Sequence, residues 1–212
     1  MIRAVISDFG GVLTTPLMHS IAAYQNQTGI SPAALGNAMQ TIAERDGAHP
    51  LFALEKGEVT EAEFLSSLAA ALEPELGHVP EMHGFKEIYF EALDPNEPMI
   101  ELMRRIKAGG RHRMALLTNN VREWEPLWRS MLPVDEIFEF VVDSAFVGAR
   151  KPEREIYEIT LERLGDGYTA AECLFVDDVE VNIEAARELG MTAVHFVGND
   201  QAIPEIEAHL RA

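Results

Sequence analysis

Val5-Ile6-Ser7-Asp8-Phe9-Gly10-Gly11-Val12-Leu13 joins an apolar run to a carboxylate and then to a pair of glycines. The β-branched and apolar residues from Ile2 to Ile6 read as a short buried strand, and that strand ends on Asp8. Gly10-Gly11 lets the backbone leave the strand in a tight conformation and approach a ligand closely. Taken alone, the stretch also fits a strand whose terminal Asp helps a turn. In an α/β sheet, ligands bind beyond the carboxyl ends of the strands. The other strand ends therefore decide between the two readings.

Downstream, apolar strands alternate with helical patterns. Asn96 caps a helix carrying Met99, Ile100, Met103 and Ile106, closed by Gly109-Gly110, and Met114 to Leu117 is a strand ending in Thr118-Asn119-Asn120. Val121 to about Met131 reads as one helix with Trp124 and Trp128 on its buried face. Phe138 to Val142 is a strand, and Arg150-Lys151-Pro152 leads into a helix from Pro152 that stops at Gly165. Cys173 to Val176 is a strand ending in Asp177-Asp178; Ala193 to Val197 is the last strand, and Pro204 starts a terminal helix. This alternation predicts an α/β fold, a doubly wound, Rossmann-like parallel sheet with helices on both faces.

Between the first strand and this pattern lies a helical block. Leu17, Ile21 and Tyr24 recur at helical spacing, and Ser31-Pro32 is a cap followed by a first-turn proline, ahead of Leu35, Met39 and Ile42. Thr60 to Glu63 is a capping box ahead of Phe64, Leu65, Leu68 and Leu72; Met82, Phe85, Ile88 and Tyr89 form one more amphipathic face. Residues 16–94 are thus expected as an inserted helical domain, and residues 1–15 and 95–212 as the core.

The 212 residues are 47% hydrophobic and 25% charged, as in ordinary globular domains. No apolar run approaches a membrane span, and the chain goes straight into a strand without a signal segment, so a cytoplasmic protein is expected. A formal net charge of -18 argues against nucleic acid or an anionic membrane as partner. An anionic substrate must be drawn by a local positive feature. The single Cys173 excludes an intrachain disulfide and reads as a buried thiol. The seven histidines, His78 and His83 among them, read as surface residues. Trp124 and Trp128 suit core packing or a dimer contact, leaving monomer and homodimer both open.

Four features then face one rim: Asp8, Thr118 with Asn119, Lys151, and Asp177 with Asp178. A carboxylate nucleophile splits phosphoryl transfer into two displacements through an aspartyl-phosphate. What remains is charge neutralisation and positioning. Lys151 and the start of its helix supply positive charge, Thr118 and the amides near Asn119 donate to phosphate oxygens, and the three carboxylates offer the hard oxygens that Mg2+ takes. Together, Asp8-Phe9-Gly10-Gly11-Val12-Leu13, Leu117-Thr118-Asn119, Lys151-Pro152 and Phe175-Val176-Asp177-Asp178 resemble the four ordered motifs of the haloacid dehalogenase (HAD) superfamily, with residues 16–94 similar to its C1 cap. More closely, the chain is similar to the subgroup holding the phosphatase domain of soluble epoxide hydrolase and bacterial sugar-phosphate phosphatases.

The resemblance implies a phosphatase acting on a small phosphorylated metabolite, with Asp8 as nucleophile and Thr118 and Lys151 as phosphate stabilisers. Asn119 would place substrate through its backbone or side chain. Asp8, the Gly10 carbonyl, Asp177 and Asp178 would form the magnesium side, with either member of the acidic pair as direct ligand. Gly10 is a departure, because the family's phosphatases usually carry there the Asp that acts as general acid, although a Gly there also resembles some bacterial members regarded as phosphatases. Such a loss costs on the order of a hundred- to ten-thousand-fold in rate. Three readings follow: a phosphatase using water or another group (Thr14, Thr15 and His19 are nearest in sequence), a dehalogenase-like hydrolase, or a phosphate-ligand binding or regulatory protein. The cap would hinge near Thr14-Pro16 and Asp94-Pro95. Arg45 to His49 and Glu55 to Glu58 either face the site or form a solvated joint.

Overall fold

The computed structural model describes residues 1–16, 18–82 and 84–211; Leu17 and His83 lie outside the described residues. Five strands, β1 (Ala4–Ser7), β2 (Arg113–Thr118), β3 (Phe140–Asp143), β4 (Cys173–Asp177) and β5 (Thr192–His195), form one sheet in the order β3-β2-β1-β4-β5. All pairings are parallel. Alternate strand residues enter two separate cores. Val5, Leu116 and Val176 pack on one face of the sheet, while Ile6, Leu117 and Phe175 pack on the other. Burial on both faces explains why these strands are apolar without interruption. In the register, Ser7 stands opposite both Leu116 and Val176. Asp8, Thr118 and Asp177 therefore leave three adjacent strands at one level, beside the β1/β4 boundary where the strand order reverses.

Helices α1 (Met18–Thr28), α2 (Pro32–Asp46), α3 (Pro50–Glu55), α4 (Glu61–Leu76) and α5 (Phe85–Glu91) occupy the expected insert. Ser31 caps α2 by accepting from the Ala34 N–H at 3.0 Å, and Thr60 and Glu63 complete the capping box of α4. The two connections to the insert run side by side. Thr14 bridges Pro95 antiparallel, the Thr15 N–H donates to the Asp94 carbonyl at 2.8 Å, and the Asn96 N–H donates to the Leu13 carbonyl at 2.9 Å.

Helix α6 (Glu97–Ala108) follows Asn96, but that side chain does not cap it. Its amide donates instead to the Val12 carbonyl at 2.8 Å and pairs with the Asn199 amide. The single helix expected over 121–131 is divided into a 3-10 turn over Arg122–Trp124 and α7 (Glu125–Ser130). Pro126 accounts for the break, because proline lacks an N–H and suits only the first turn of a helix. The division sends the tryptophans to different places. Trp128 packs edge-on against Phe9 in the core, while Trp124 meets Tyr89 and Phe90 of α5.

Short helices α8 (Val134–Ile137) and α9 (Ser144–Val147) flank β3. Next, α10 (Arg154–Leu164) starts two residues later than Pro152 suggests, since Arg150 to Glu153 close a turn in which the Glu153 N–H donates to the Arg150 carbonyl at 2.7 Å. After α11 (Glu180–Glu188), α12 (Asn199–Arg211) begins ahead of Pro204, which lies inside it; the Ala202 N–H already donates to Gly198. Cys173 is free and buried. No described helix is long and apolar enough to cross a membrane.

Candidate active site

Asp8 begins the turn after β1, and Lys151 reaches it from the turn before α10. Lys151 is 1% exposed, and its ammonium lies 2.7 Å from Asp8 Oδ1 and 2.6 Å from Asp177 Oδ2. Burial alone would favour a neutral lysine, but the Asp177 and Asp8 carboxylates outweigh it and hold the pKa above its ordinary value. Asp8 is pushed up to about 7, first by burial against the pull of Lys151 and then by repulsion from Asp177 and Asp178. Asp8 Oδ2 has no protein partner among the described residues.

The two acids of the pair do different things. Asp177 is fully buried and saturated: Oδ2 takes Lys151, and Oδ1 accepts from the Val179 N–H at 2.8 Å and the Asn182 amide at 3.0 Å. Asp178 is partly exposed and its carboxylate has no side-chain hydrogen bond among the described residues. Burial and Asp177 raise its pKa. It presses on Gly11, where φ is +79° and an added Cβ would stand 2.7 Å from Asp178 Cγ. Glycine is required there for the backbone angle and for the approach of this carboxylate. Asp8, Asp177 and Asp178 each offer an oxygen within 4.8 Å of the others. Three carboxylates against one ammonium leave an excess negative charge at the bottom of a cleft, which suits a divalent cation.

Thr118 is buried at the end of β2, with its hydroxyl only 3.5 Å from the Asn119 carbonyl. The Asn119 side chain has a role sequence did not suggest. Its amide donates to the Lys151 carbonyl at 2.9 Å and accepts from the Lys151 N–H at 2.8 Å, clamping that backbone on both sides.

A cavity of about 610 Å³ opens above these residues and is roofed by the insert. Asp8, Gly10, Thr118, Asn119, Lys151 and Asp178 line its floor. Of the segments expected to face the site, Glu55 does so, and it binds Arg150 at 2.6 Å; burial raises its pKa against that pairing. Lys56 instead pairs with Glu58 and Glu153, and Arg45 lies exposed with Asp46. His49 caps α3. Thr14 and Thr15 do not line the cavity. Thr14 accepts from the Gly11 N–H, Thr15 accepts from the Asp94 N–H, and His19 is exposed. Tyr89, Phe90, Trp124 and Arg150 were missed as site residues. Tyr89 feels the charges of Glu55 and Asp8, and burial foremost raises its pKa, so it stays protonated. Its spacing marked only an amphipathic helix.

Residues 2–190 match the family model for haloacid dehalogenase-like hydrolases. The chain belongs to that family. It is 27% identical to bifunctional epoxide hydrolase 2 of Sus scrofa over 97% of its own length and 38% of the relative's. It spans well under half the length of the first curated relatives it matches. With Phosphatase MT3486 of Mycobacterium tuberculosis, identity is 35% over 62% of this chain and 59% of that one. A HAD family enzyme of Bacteroides thetaiotaomicron, crystallised with magnesium and inorganic phosphate, shares the fold with a TM-score of 0.66 at 23% identity, over 92% of this chain and 94% of that chain.

Proposed function

We propose that this HAD-like hydrolase is a magnesium-dependent phosphatase that hydrolyses a small organic phosphate monoester through an aspartyl-phosphate on Asp8. The insert of residues 16–94 acts as its helical cap over a core of residues 1–15 and 95–212. The observation that carries the reading is Asp8 itself: one oxygen is held by Lys151, and the other is unpartnered at the floor of the cavity. Similarity to a Mycobacterium tuberculosis phosphatase supports it.

In the first half-reaction the free oxygen of Asp8 attacks phosphorus, and the ester oxygen leaves with a proton taken from water. In the second, water attacks phosphorus of the phospho-Asp8 and gives up a proton to solvent as the P–O bond to Asp8 breaks, releasing phosphate and restoring the carboxylate. Lys151 orients Asp8 and neutralises charge on the transferring group, with Asn119 and Asp177 fixing Lys151 from its backbone and its ammonium. Thr118 donates its hydroxyl to a phosphate oxygen. The charge excess and an Asp178 carboxylate without a side-chain hydrogen bond among the described residues fit Mg2+, which Asp8, Asp178 and the Gly10 carbonyl would hold. When bound, it supplies charge neutralisation for the phosphate oxygens. Asp177, with both oxygens engaged, acts as a positioning residue rather than a ligand.

A second reading, a phosphate-ligand binding or regulatory protein with little turnover, rests on Gly10, which offers the leaving group no side-chain acid. Phosphate release from aryl, sugar, lipid and nucleotide esters, with magnesium or excess chelator, tests both. Magnesium-dependent release that disappears in a folded Asp8→Asn variant is the expected result. Phosphate and magnesium binding without release of any ester would favour the second reading, and an active Asp8→Asn variant would remove the nucleophile assignment.

A further inference from the structure

The cavity above Asp8 is built differently at its two ends. Its floor carries the carboxylates, Lys151, Thr118 and the turn amides. Away from the floor, the wall is made of Ile21, Leu35, Met39, Phe64, Phe85 and Trp124, contributed by four helices of the insert and the turn before α7. Most polar atoms along that wall already have protein partners. The Ser20 hydroxyl donates to the Tyr89 carbonyl at 2.9 Å, and the Tyr24 hydroxyl to Met82 Sδ at 3.4 Å. The Trp124 indole N–H donates to Glu61 at 2.8 Å. Glu55 and Arg150 neutralise one another. Among the described residues the Tyr89 hydroxyl, the Asn120 side-chain amide nitrogen and the terminal nitrogens of Arg150 make no such hydrogen bond, and two of these groups adjoin floor residues in the chain, Asn120 following Asn119 and Arg150 preceding Lys151.

A polyhydroxylated substrate lying along the apolar wall would leave its hydroxyls there without partners, at a cost of roughly 1–3 kcal/mol for each. A hydrocarbon chain would lose nothing and would remove both its own surface and the wall's from water. Resting on the phosphatase reading of the floor, we infer that the natural ligand is a phosphate monoester of an apolar, hydrocarbon-chain alcohol, its phosphate on Asp8 and Lys151 and its tail along α1, α2, α4 and α5.

A homologous series isolates the tail, because linear alkylphosphonates from ethyl to dodecyl share one head group and cannot be hydrolysed. Their inhibition constants against aryl phosphate turnover should fall by about two- to fourfold for each added methylene until the wall is filled, as full burial of a methylene predicts. Sugar phosphates should inhibit more weakly than octylphosphonate. Met39→Gln, nearly isosteric and checked for folding by thermal unfolding, should flatten the slope of the series. A flat series with aryl turnover intact would overturn the apolar assignment and leave the phosphatase reading standing, as would tighter inhibition by a sugar phosphate. An unchanged slope in Met39→Gln would overturn the placement of the tail. If no aryl phosphate is turned over, the phosphatase reading is what fails. The series is then read by displacement of the apolar fluorophore anilinonaphthalene sulfonate, where graded displacement supports the apolar site and a flat response overturns it.

Discussion

Nζ of Lys151 lies 2.6 Å from Oδ2 of Asp177, a carboxylate with no solvent exposure. Asp177→Asn keeps the shape but sets an amide donor or a neutral oxygen against the ammonium. Breaking a buried pair in this way is expected to lower stability by about 3 kcal/mol. Turnover should fall on the order of a hundredfold, as Lys151 loses its setting beside Asp8. Asp178→Asn should do the reverse, leaving the metal-free protein as stable or more so while removing magnesium-dependent turnover. Thermal unfolding and steady-state rates on both variants separate the two roles; equal behaviour would contradict them.

Magnesium should stabilise the protein more at pH 8 than at pH 5. The folded-state pKa of Asp8 is raised to about 7 from an ordinary 3.8. The folded metal-free protein therefore holds a proton that the unfolded chain has lost. Asp8's contribution to stability is fully present below about pH 4 and disappears as pH rises through about 7. Metal binding needs the carboxylates ionised. The difference in melting temperature between magnesium and chelator should thus widen across this window, and a constant difference would mean that Asp8 does not take part in binding.

The chemistry-bearing strand ends were legible because each ends an apolar run, and parallel pairing brings such ends to one rim. Lys151 was legible as a cation beside that rim, but its environment was not. Asn119 clamps it from 32 positions away in the chain, and no local pattern records a contact of that kind. Pro152 and Pro204 misled for one reason. Proline marks a permitted first turn, yet here a closing turn delays α10 past Pro152, and earlier hydrogen bonds to Gly198 start α12 before Pro204. Glu55 and Tyr89 reach the cavity only through the docking of the insert, which helix periodicity does not encode.

Gly11→Ala should weaken magnesium binding at least tenfold. A methyl group at φ +79° carries strain of about 1–3 kcal/mol and drives Asp178 away from Asp8. Titration calorimetry with magnesium on the folded variant checks this. Unchanged affinity would show that Asp178 need not stand where it does.

Gly10→Asp should restore the proton donor. Rates on alkyl phosphates, whose alkoxides leave poorly, are expected to rise by about a hundred- to ten-thousand-fold, with little change on aryl phosphates. The ratio of the two rates is the readout. No change in that ratio would place the working proton donor elsewhere in the cavity.

The insert joins the rest of the chain through one short bridge at Thr14 and Pro95, and α3 grips the opposite side, with Glu55 on Arg150 and Phe52 beneath its guanidinium at 4.0 Å. The arrangement is that of a door on a single pin, latched at Arg150, at Glu153 and along Trp124. Swinging it would have to release the Arg150 contacts, the Lys56–Glu153 pair and the contacts of Trp124 with Glu61, Tyr89 and Phe90, while Lys151, Asp8 and Asp177 all sit in the frame. On the proposed reading the reactive centre would stay assembled through each round of loading and discharge, and the door could be recarved for a new cargo without retuning the lock.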